Sequence, residues 1–247
     1  MLRVKELRYS GLVNTISDAF LLSLQMMAQF DPELLRIVGL SLRVSLTAVV
    51  IGSAIGLPFG ALLALTQFRG RNACIVVLNA CMGLPPVVVG LVVYLILSRS
   101  GPLGTLGWLF TPTGMVVAQV VLITPIVAAL SRQTVADLWA EYDEQLRSLG
   151  LTPLKAIATL LWDGRFSLST AIFAGFGRAI AEVGAIIIVG GNIAGVTRTM
   201  TTAISLETSR GDLALAMALG IVLLSIAIGI NAAATAFGNA ARRRQGA

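Results

Sequence analysis

Five long stretches of apolar residues constrain the fold of this 247-residue chain more than any other feature of its sequence. Crossing the hydrocarbon core of a bilayer, about 30 Å thick, takes about 20 residues of α-helix. Only 12% of the residues are charged, against about 25% in soluble domains, so lipid must cover much of the surface. The sequence therefore predicts an all-α, polytopic membrane protein with spans over residues 44–65, 74–97, 113–130, 168–190 and 213–237.

The N-terminal segment leaves two alternatives open. Residues 11–30 are largely apolar but include Asp18, so they either cross the membrane as a sixth span or lie in its interface. A crossing would place three N-terminal cations in the cytoplasm, where such residues are enriched, namely Arg3, Lys5 and Arg8. Residues 1–34 are thus predicted to form an interfacial or transmembrane helix.

Cations are distributed unevenly between the two sides of the membrane. The segments 66–73, 131–167 and 238–247 hold nine Lys and Arg residues, whereas the opposite side holds five when the extreme N-terminus is left aside. The positive-inside rule then puts the C-terminus in the cytoplasm. Residues 35–241 are predicted to form the transmembrane domain, and residues 242–247 a basic cytoplasmic tail that meets anionic lipid headgroups.

Several kinds of chemistry are excluded by what the sequence lacks. It contains no Gly-Lys pair and hence no Walker A motif, and it has neither a histidine nor a cysteine cluster that would hold a metal ion. The positive charges flank the apolar stretches, which favours topology signals over nucleic acid binding. We expect no cofactor and no enzymatic activity of the chain itself. The sequence also lacks a two-fold internal repeat, so a transporter built from paired halves would need two copies of it.

The segment between the third and fourth spans has the pattern of two helices separated by a glycine. Gly150 is expected to end the first helix, because glycine tolerates the left-handed conformation at a C-terminal cap. Thr152 and Pro153 are expected to begin the second, with a capping hydroxyl and a proline at the first helical position. The first helix, predicted over 134–149, carries one apolar stripe formed by Val135, Leu138, Trp139, Tyr142, Leu146 and Leu149.

Two readings of this cytoplasmic loop, residues 131–167, stay open from the residues alone. It either closes a helical hairpin or docks a partner protein, for which a short helix with an aromatic-lined face is suited. Glu144 and Gly150 resemble the Glu-Ala-Ala-x-x-x-Gly motif of the inner-membrane permeases of ABC importers. The later Ile-x-Leu-Pro part is degenerate, with Leu160 for the isoleucine and Trp162-Asp163 for Leu-Pro. In that family the loop is seated in the ATPase subunit, which implies coupling roles for Trp139, Glu141, Tyr142, Glu144 and Gly150.

The resemblance extends well beyond this loop. Residues 84–90 and 177–185 are similar to the second and fourth spans of molybdate-type permeases, and residues 189–212 resemble the tungstate-specific branch. The resemblance implies a type I importer in a bacterial or archaeal cytoplasmic membrane, with tungstate as substrate and molybdate or sulfate as alternatives. It also implies the partners: a second copy of this chain, two ATPase subunits that bind the ATP, and a soluble oxyanion-binding protein outside. A self-sufficient secondary transporter or channel is the rival class.

Four residues in the membrane are candidates for the transport pathway or its gate. Arg178 and Glu182 stand four apart, so they can pair on one helical face. They either form a structural ion pair, or Arg178 attracts the dianion and Glu182 tempers that attraction so that release stays fast. Pro85 and Pro86 remove two amide donors from the second span, which predicts a kink or a break that lines the passage.

The outer segment from residue 192 to 212 is polar and has two interpretations. It is either a plain connection between spans or the docking surface for the binding protein, and the resemblance favours docking. The residues that we expect to contact the binding protein are Asn192, Thr197, Arg198 and Arg210.

Overall fold

The computed structural model describes the backbone of residues 16–245 and the side chains of residues 17–236 and 238. Within this part of the chain it contains ten α-helices, a short 3-10 turn over Gly104–Leu106 and no strand, which confirms the all-α prediction. The helices are α1 Ile16–Ala28, α2 Pro32–Leu65, α3 Arg71–Met82, α4 Pro86–Leu97, α5 Pro112–Ser148, α6 Pro153–Asp163, α7 Arg165–Ile180, α8 Gly184–Gly190, α9 Met200–Arg210 and α10 Leu213–Gln245.

The candidate spans are of two kinds. In the described part of the chain, three helices are long and apolar enough to cross a membrane unaided, namely α2, α5 and α10. Two further spans are pairs of shorter helices, α3 with α4 and α7 with α8, which bend by 102° and 58° at their breaks. The predicted number of five spans is thus met when each bent pair counts as one. The predicted interruption within 74–97 is present, whereas the expectation that Arg178 and Glu182 stand on one helix within 168–190 is wrong, because α7 ends between them.

The two longest helices, α2 and α5, pack along a seam of glycines. A Cβ atom at Gly60 would lie 2.2 Å from the carbonyl oxygen of Ala128, and one at Gly56 would lie 3.0 Å from that of Thr124. Small residues four apart let two membrane helices approach this closely. The Ser131 hydroxyl adds a 2.8 Å hydrogen bond to the carbonyl oxygen of Leu57 across the same interface. These contacts make α2 and α5 one rigid pair at the centre of the molecule.

The N-terminal helix α1 lies against the last span. Leu22 and Met26 pack into a buried cluster with Leu215 and Leu219 of α10. Its 13 residues extend about 20 Å, less than a bilayer core. Because residues 1–15 lie outside the described part, including Arg3, Lys5 and Arg8, the choice between a sixth span and an interfacial helix stays a prediction.

The predicted domain boundaries fall inside helices. The Asp31 carboxylate accepts a 2.9 Å hydrogen bond from the amide of Glu33 and so caps the start of α2, which places the boundary at 34/35 in the first turn of that helix. The loop boundary at residue 131 lies inside α5, and the tail boundary at 241/242 lies inside α10. The division into three parts stays a prediction.

Candidate functional site

The second halves of the two bent spans, α4 and α8, lie side by side. A Cβ atom at Gly90 would lie 2.7 Å from the Cα atom of Ala185, so the two backbones are nearly in contact. At the start of the helices, a Cβ atom at Gly184 would lie 2.7 Å from the Cγ2 atom of Val87. Both helices begin directly after their breaks, so the two breaks meet at one place within the membrane-spanning part, which we call the break junction.

Pro85 and Pro86 form the first of these breaks. Helix α3 ends at Met82, Pro85 takes an extended conformation with ψ 122°, and Pro86 is the first residue of α4. Proline suits that position because its missing amide would have no partner inside the helix. The carbonyl oxygen of Pro85 accepts hydrogen bonds from the amides of Val88 and Val89, at 3.0 and 3.3 Å. The predicted interruption of the second span is confirmed, and it is a sharp break. That these prolines line the passage stays a prediction.

Arg178 and Glu182 lie at the second break. An Nη2 atom of Arg178 is 3.4 Å from Oε2 of Glu182, which confirms that the two side chains pair. They do not share a helix, however, because α7 ends at Ile180 and Glu182 lies in the break before Gly184. Its other carboxylate oxygen, Oε1, accepts a 3.3 Å hydrogen bond from the amide of Ala185 in the first turn of α8. Glu182 therefore joins the end of one helix half to the start of the other.

The burial of this pair is unequal. The side chain of Glu182 is 4% exposed, whereas that of Arg178 is 40% exposed. A carboxylate buried at membrane depth needs a cation or hydrogen bond donors, and Glu182 has both. The guanidinium of Arg178 still presents part of its surface next to the break junction. The geometry thus fits a structural role for Glu182, and the attraction of an anion by Arg178 stays a prediction.

Two further side chains bond to the second break, and the sequence did not indicate these contacts. The amide Nε2 of Gln119 in α5 donates a 2.8 Å hydrogen bond to the carbonyl oxygen of Ala179. The hydroxyl of Thr201 in α9 donates a 2.8 Å hydrogen bond to the carbonyl oxygen of Glu182. The only signal for Gln119 was a polar amide within an otherwise apolar span.

The outer segment between α8 and α10 is folded into the protein. Thr197 is completely buried, and its hydroxyl donates a 2.6 Å hydrogen bond to the carbonyl oxygen of Gly190. Asn192 has a positive φ of 51°, and its Nδ2 donates to the carbonyl oxygen of Thr202 at 3.3 Å. The predicted loop instead contains helix α9, on which Met200, Thr202 and Ala203 are buried.

A cluster of charged residues closes the far end of α9. Arg198 Nη1 is 3.3 Å from Oε1 of Glu207 and 3.9 Å from Oε1 of Glu33, at the start of α2. Its side chain is only 11% exposed. Arg210 pairs with Glu207 at 3.5 Å and is the most exposed of the residues predicted to dock a binding protein. In this conformation Thr197 has no surface for a partner to contact, so the docking prediction for this segment depends mainly on Arg210 and the half-buried Asn192.

The cytoplasmic loop differs from the prediction in its first half. No break separates the third span from the helix predicted over 134–149, because α5 runs unbroken through 37 residues to Ser148. Gly150 ends it as expected, with a φ of 74°. The amide of Gly150 donates to the carbonyl oxygen of Arg147 at 2.9 Å and that of Leu151 to Leu146 at 3.0 Å, which is the Schellman arrangement. Pro153 begins α6, but the expected cap is wrong, since the Thr152 hydroxyl makes no capping hydrogen bond.

The apolar stripe of this loop, except for Leu149, faces the protein itself. Val135 and Leu146 are buried against Leu160 of α6 and against Ala61 near the end of α2. Trp139 and Tyr142 are half-buried at the edge of the same cluster. A hydrogen bond to Glu141 and the negative charge of that residue raise the pKa of Tyr142 above its ordinary value of 10.0.

The surface that the loop presents includes the residues around its glycine and Trp162 at the end of α6, which is 72% exposed. Glu141, Glu144 and Gly150 are exposed, and Leu149 is 76% exposed. Leu154 in α6 is also exposed. A partner in the cytoplasm would therefore meet these exposed residues before it met Trp139 and Tyr142. The coupling roles of Trp139, Glu141, Tyr142, Glu144 and Gly150 stay predictions.

Comparison with known proteins finds a matching family and several similar permeases. Residues 56–244 match the family described as the inner membrane component of binding-protein-dependent transport systems. The chain is 39% identical over 217 residues to a tungstate uptake system permease protein of Peptoclostridium acidaminophilum, covering 88% of this chain and 95% of that protein. It is 36% identical over 216 residues to the protein of the same name from Campylobacter jejuni, covering 87% and 90%. A sulfate transport system permease protein of Synechocystis is 28% identical over 196 residues, covering 76% and 71%.

Proposed function

The chain belongs to the family of inner membrane components of binding-protein-dependent transport systems, and on this premise we propose that it is the membrane-spanning permease of an ATP-driven tungstate importer. The observation that supports tungstate as the substrate is the sequence identity of 39% and 36% with two tungstate uptake permeases over nearly their whole lengths. The fold is that of the transmembrane domain of type I ABC importers. The chain itself is a transport subunit, and a separate ATPase supplies the energy.

A second candidate, a sulfate permease, is supported by the 28% identity with the Synechocystis protein over a smaller share of both chains. Sulfate and tungstate are both tetrahedral dianions, so the charge of Arg178 would attract either. Molybdate has the same shape and charge and is the further alternative. Discrimination among them would then depend on the external binding protein, because only the substrate delivered at the outer face can enter.

The cytoplasmic end of α5 is where we place the ATPase. A helix of 37 residues is about 55 Å long, so one rigid rod connects the exposed tip at Leu149 and Gly150 with the middle of the membrane. The glycine seam fixes this rod to α2, and a displacement of the tip therefore moves both helices together. The loop can drive alternating access only if the docked ATPase binds the two conformations unequally. The nucleotide is bound by the partner and not by this chain.

A second copy of the chain is proposed to complete the passage. Helix α3 is exposed nearly all round, with only Leu78 buried, and α4 presents Val87, Leu91 and Leu95 on its outer surface. Arg178 is partly exposed at the second break, and we propose that it belongs to the same uncovered face. A homodimer with two-fold symmetry would bury this face and enclose a path between the copies. Lipid would cover the remaining apolar surface, with the C-terminus in the cytoplasm.

The outer segment is the proposed contact for the binding protein. Arg210 and Asn192 lie on this side of the molecule, near the ion pairs that Arg198 forms with Glu207 and Glu33. Those ion pairs connect the segment to Glu33 at the start of α2. A protein that docks here would therefore act on the same helix that carries the glycine seam.

Reconstitution tests this function directly. The permease, with its co-purified ATPase and the binding protein in liposomes, is expected to accumulate tungstate only with ATP, and sulfate and molybdate are measured as competitors. Preferential uptake of sulfate would contradict tungstate as the substrate and favour a sulfate permease. Accumulation of tungstate by the chain alone, without an ATPase, would contradict the proposal and favour a self-sufficient carrier.

A further inference from the structure

The second break, residues 181–183, leaves main-chain groups without helical partners inside the membrane-spanning part. Helix α7 ends at Ile180 and α8 begins at Gly184, so the carbonyl oxygens near the break cannot all be satisfied by a regular helix. Water is absent from the hydrocarbon region, and each unsatisfied main-chain group there is costly. The amide of Glu182 donates to the carbonyl oxygen of Ala179 at 3.3 Å, and side chains from elsewhere in the chain supply further donors at the break.

Gln119 is one of these donors. It lies on α5, is 1% exposed and bonds through Nε2 to the carbonyl oxygen of Ala179, in the last turn of α7. Its Oε1 atom has no hydrogen-bond partner among the described residues. Burying a side-chain amide of which only one polar atom is hydrogen-bonded costs free energy, and a leucine at this position would avoid that cost. The bond to Ala179 is thus the feature that accounts for a glutamine at this position.

Thr201 is the other donor, and it reaches the break from the outer side. Its hydroxyl bonds to the carbonyl oxygen of Glu182, the residue that pairs with Arg178. The adjacent amide of Met200 is also held in place, because it donates a 2.7 Å hydrogen bond to the hydroxyl of Ser41 on α2. The start of α9 is therefore fixed both to the rigid pair of long helices and to the break.

The two bonds hold the break from opposite sides. Gln119 holds the end of α7 to α5, and Thr201 holds the main chain of Glu182 to α9. Between them lie the ion pair with Arg178 and the hydrogen bond from Ala185 to the carboxylate of Glu182. These contacts therefore oppose a change in the 58° bend between α7 and α8. We call the two bonds of Gln119 and Thr201 the break clamp.

We propose that Gln119 and Thr201 are positioning residues of the transport cycle, which hold the fourth span bent and keep Glu182 against Arg178 until the loaded binding protein docks. The inference rests on the proposed function for its role in transport, whereas the clamp itself is a property of the chain alone. Without the clamp, the bend relaxes in the absence of a binding protein. The ATPase cycle then proceeds without its cargo.

Thr201→Val removes the hydroxyl with almost no change of shape, and Thr201→Ser keeps it. Thr208→Val is the matched control, because Thr208 lies on the same helix and is exposed. Hydrogen–deuterium exchange of the purified permease in nanodiscs is expected to rise about fivefold at the amides of residues 182–187 in Thr201→Val, as loss of one net hydrogen bond produces. Thr201→Ser and Thr208→Val should exchange as the wild type does, and Gln119→Met should behave as Thr201→Val does.

The reconstituted complex tests the role in transport. ATP hydrolysis without loaded binding protein is expected to rise about fivefold in Thr201→Val, while tungstate taken up per ATP hydrolysed falls by a similar factor. A purely structural role would lower both activities in proportion to the amount of folded complex and leave the ratio unchanged.

Several results would overturn the proposal. Unchanged exchange at residues 182–187, a rise spread over the whole molecule, or failure of both Thr201→Val and Gln119→Met to reach the membrane would each show that no local clamp exists. Increased local exchange with an unchanged ratio of tungstate uptake to ATP hydrolysis would show that the clamp has no role in the transport cycle. A wild-type complex that takes up no tungstate would contradict the proposed function alone, because the exchange measurement does not depend on it.

Discussion

The rigid pair of α2 and α5 crosses the membrane as continuous helices, whereas the two bent spans cross it as pairs of shorter helices. Both long helices contain a proline, Pro58 and Pro125, and neither is interrupted there. In the bent spans the chain leaves the helical conformation altogether, once at Pro85-Pro86 and once at residues 181–183, where there is no proline. A single proline is thus tolerated in a helix that packs closely on its neighbour, and at the break without a proline side chains bond to the main chain.

This difference separates a part that transmits force from a part that changes shape. Close packing along the glycine seam leaves α2 and α5 little freedom to move relative to each other. The bent spans carry the partly exposed Arg178 and have large uncovered surfaces. We therefore expect substitutions in the rigid pair to affect folding, and substitutions at the breaks to affect transport more than folding.

Gly60→Val should have the largest effect. Its side chain would clash with the main chain of Ala128, since a Cβ atom alone would lie 2.2 Å from that carbonyl oxygen. Because backbone atoms cannot swing aside, we expect a loss of about 3 kcal/mol or more in stability. The yield of folded protein in membranes and its thermal midpoint in detergent measure this. Gly39→Val on the same helix is the control, because no atom lies within 4 Å of a Cβ there. Equal losses in both variants would show that the seam is not the cause.

Glu182→Gln and Arg178→Lys should come next and should act on transport. Glu182→Gln leaves Arg178 without its anionic partner, and we expect the initial rate of tungstate uptake to fall roughly tenfold, equivalent to about 1.4 kcal/mol. Arg178→Lys keeps the charge and should lose less. Uptake is compared at matched membrane levels of the permease. Near-wild-type uptake in both variants would remove the pair from the transport pathway.

Gly150→Ala should have a smaller effect, confined to the cytoplasmic end of α5. An alanine at a φ of 74° is strained by about 1 kcal/mol, so the loop tip should shift and bind the ATPase several-fold more weakly. Co-purification of the ATPase measures this. Gly211→Ala introduces similar strain at a φ of 81° on the outer side and should leave ATPase binding unchanged. Equal losses of ATPase in the two variants would contradict a specific role for Gly150.

Asp143→Asn should have the smallest effect. Asp143 pairs with Arg147 on the exposed surface of α5, four residues apart. Such pairs contribute about 0.5 kcal/mol or less, and salt screens them. The thermal midpoint should therefore change only slightly at low ionic strength and not at all at high ionic strength. A change of more than twofold in uptake would show that this pair belongs to the coupling surface.

Local signals in the sequence were reliable where the chain's own chemistry decides the structure. Pro85-Pro86 removes two adjacent amides, so the second span had to be interrupted in any packing arrangement. Gly150 ends a helix because no other residue adopts a positive φ there at so little cost. The pairing of Arg178 with Glu182 also followed from their spacing and from the cost of an isolated charge in a membrane.

Contacts between distant parts of the chain decided the remainder. The break at residues 181–183 has no proline, and it depends on donors from Gln119 and Thr201, which lie far away in the sequence. The outer segment looked like a polar surface loop because of its threonines and charges. Thr197 and Glu207 are nevertheless buried, since each finds a partner that only the folded chain supplies. The apolar stripe of the cytoplasmic loop likewise met α6 of the same chain.

The sequence by itself determined that this protein is helical, lies in a membrane and crosses it through a set of about 20-residue apolar stretches, because the cost of transferring charge and free backbone into lipid admits little else. Tertiary structure alone decided which spans are straight and which are bent, and which polar groups are buried. Those outcomes depend on hydrogen bonds and close contacts between residues far apart in the chain, such as the packing of Gly56 and Gly60 of α2 against α5. A periodic pattern records which residues avoid water, but it does not record which distant atom satisfies a buried donor.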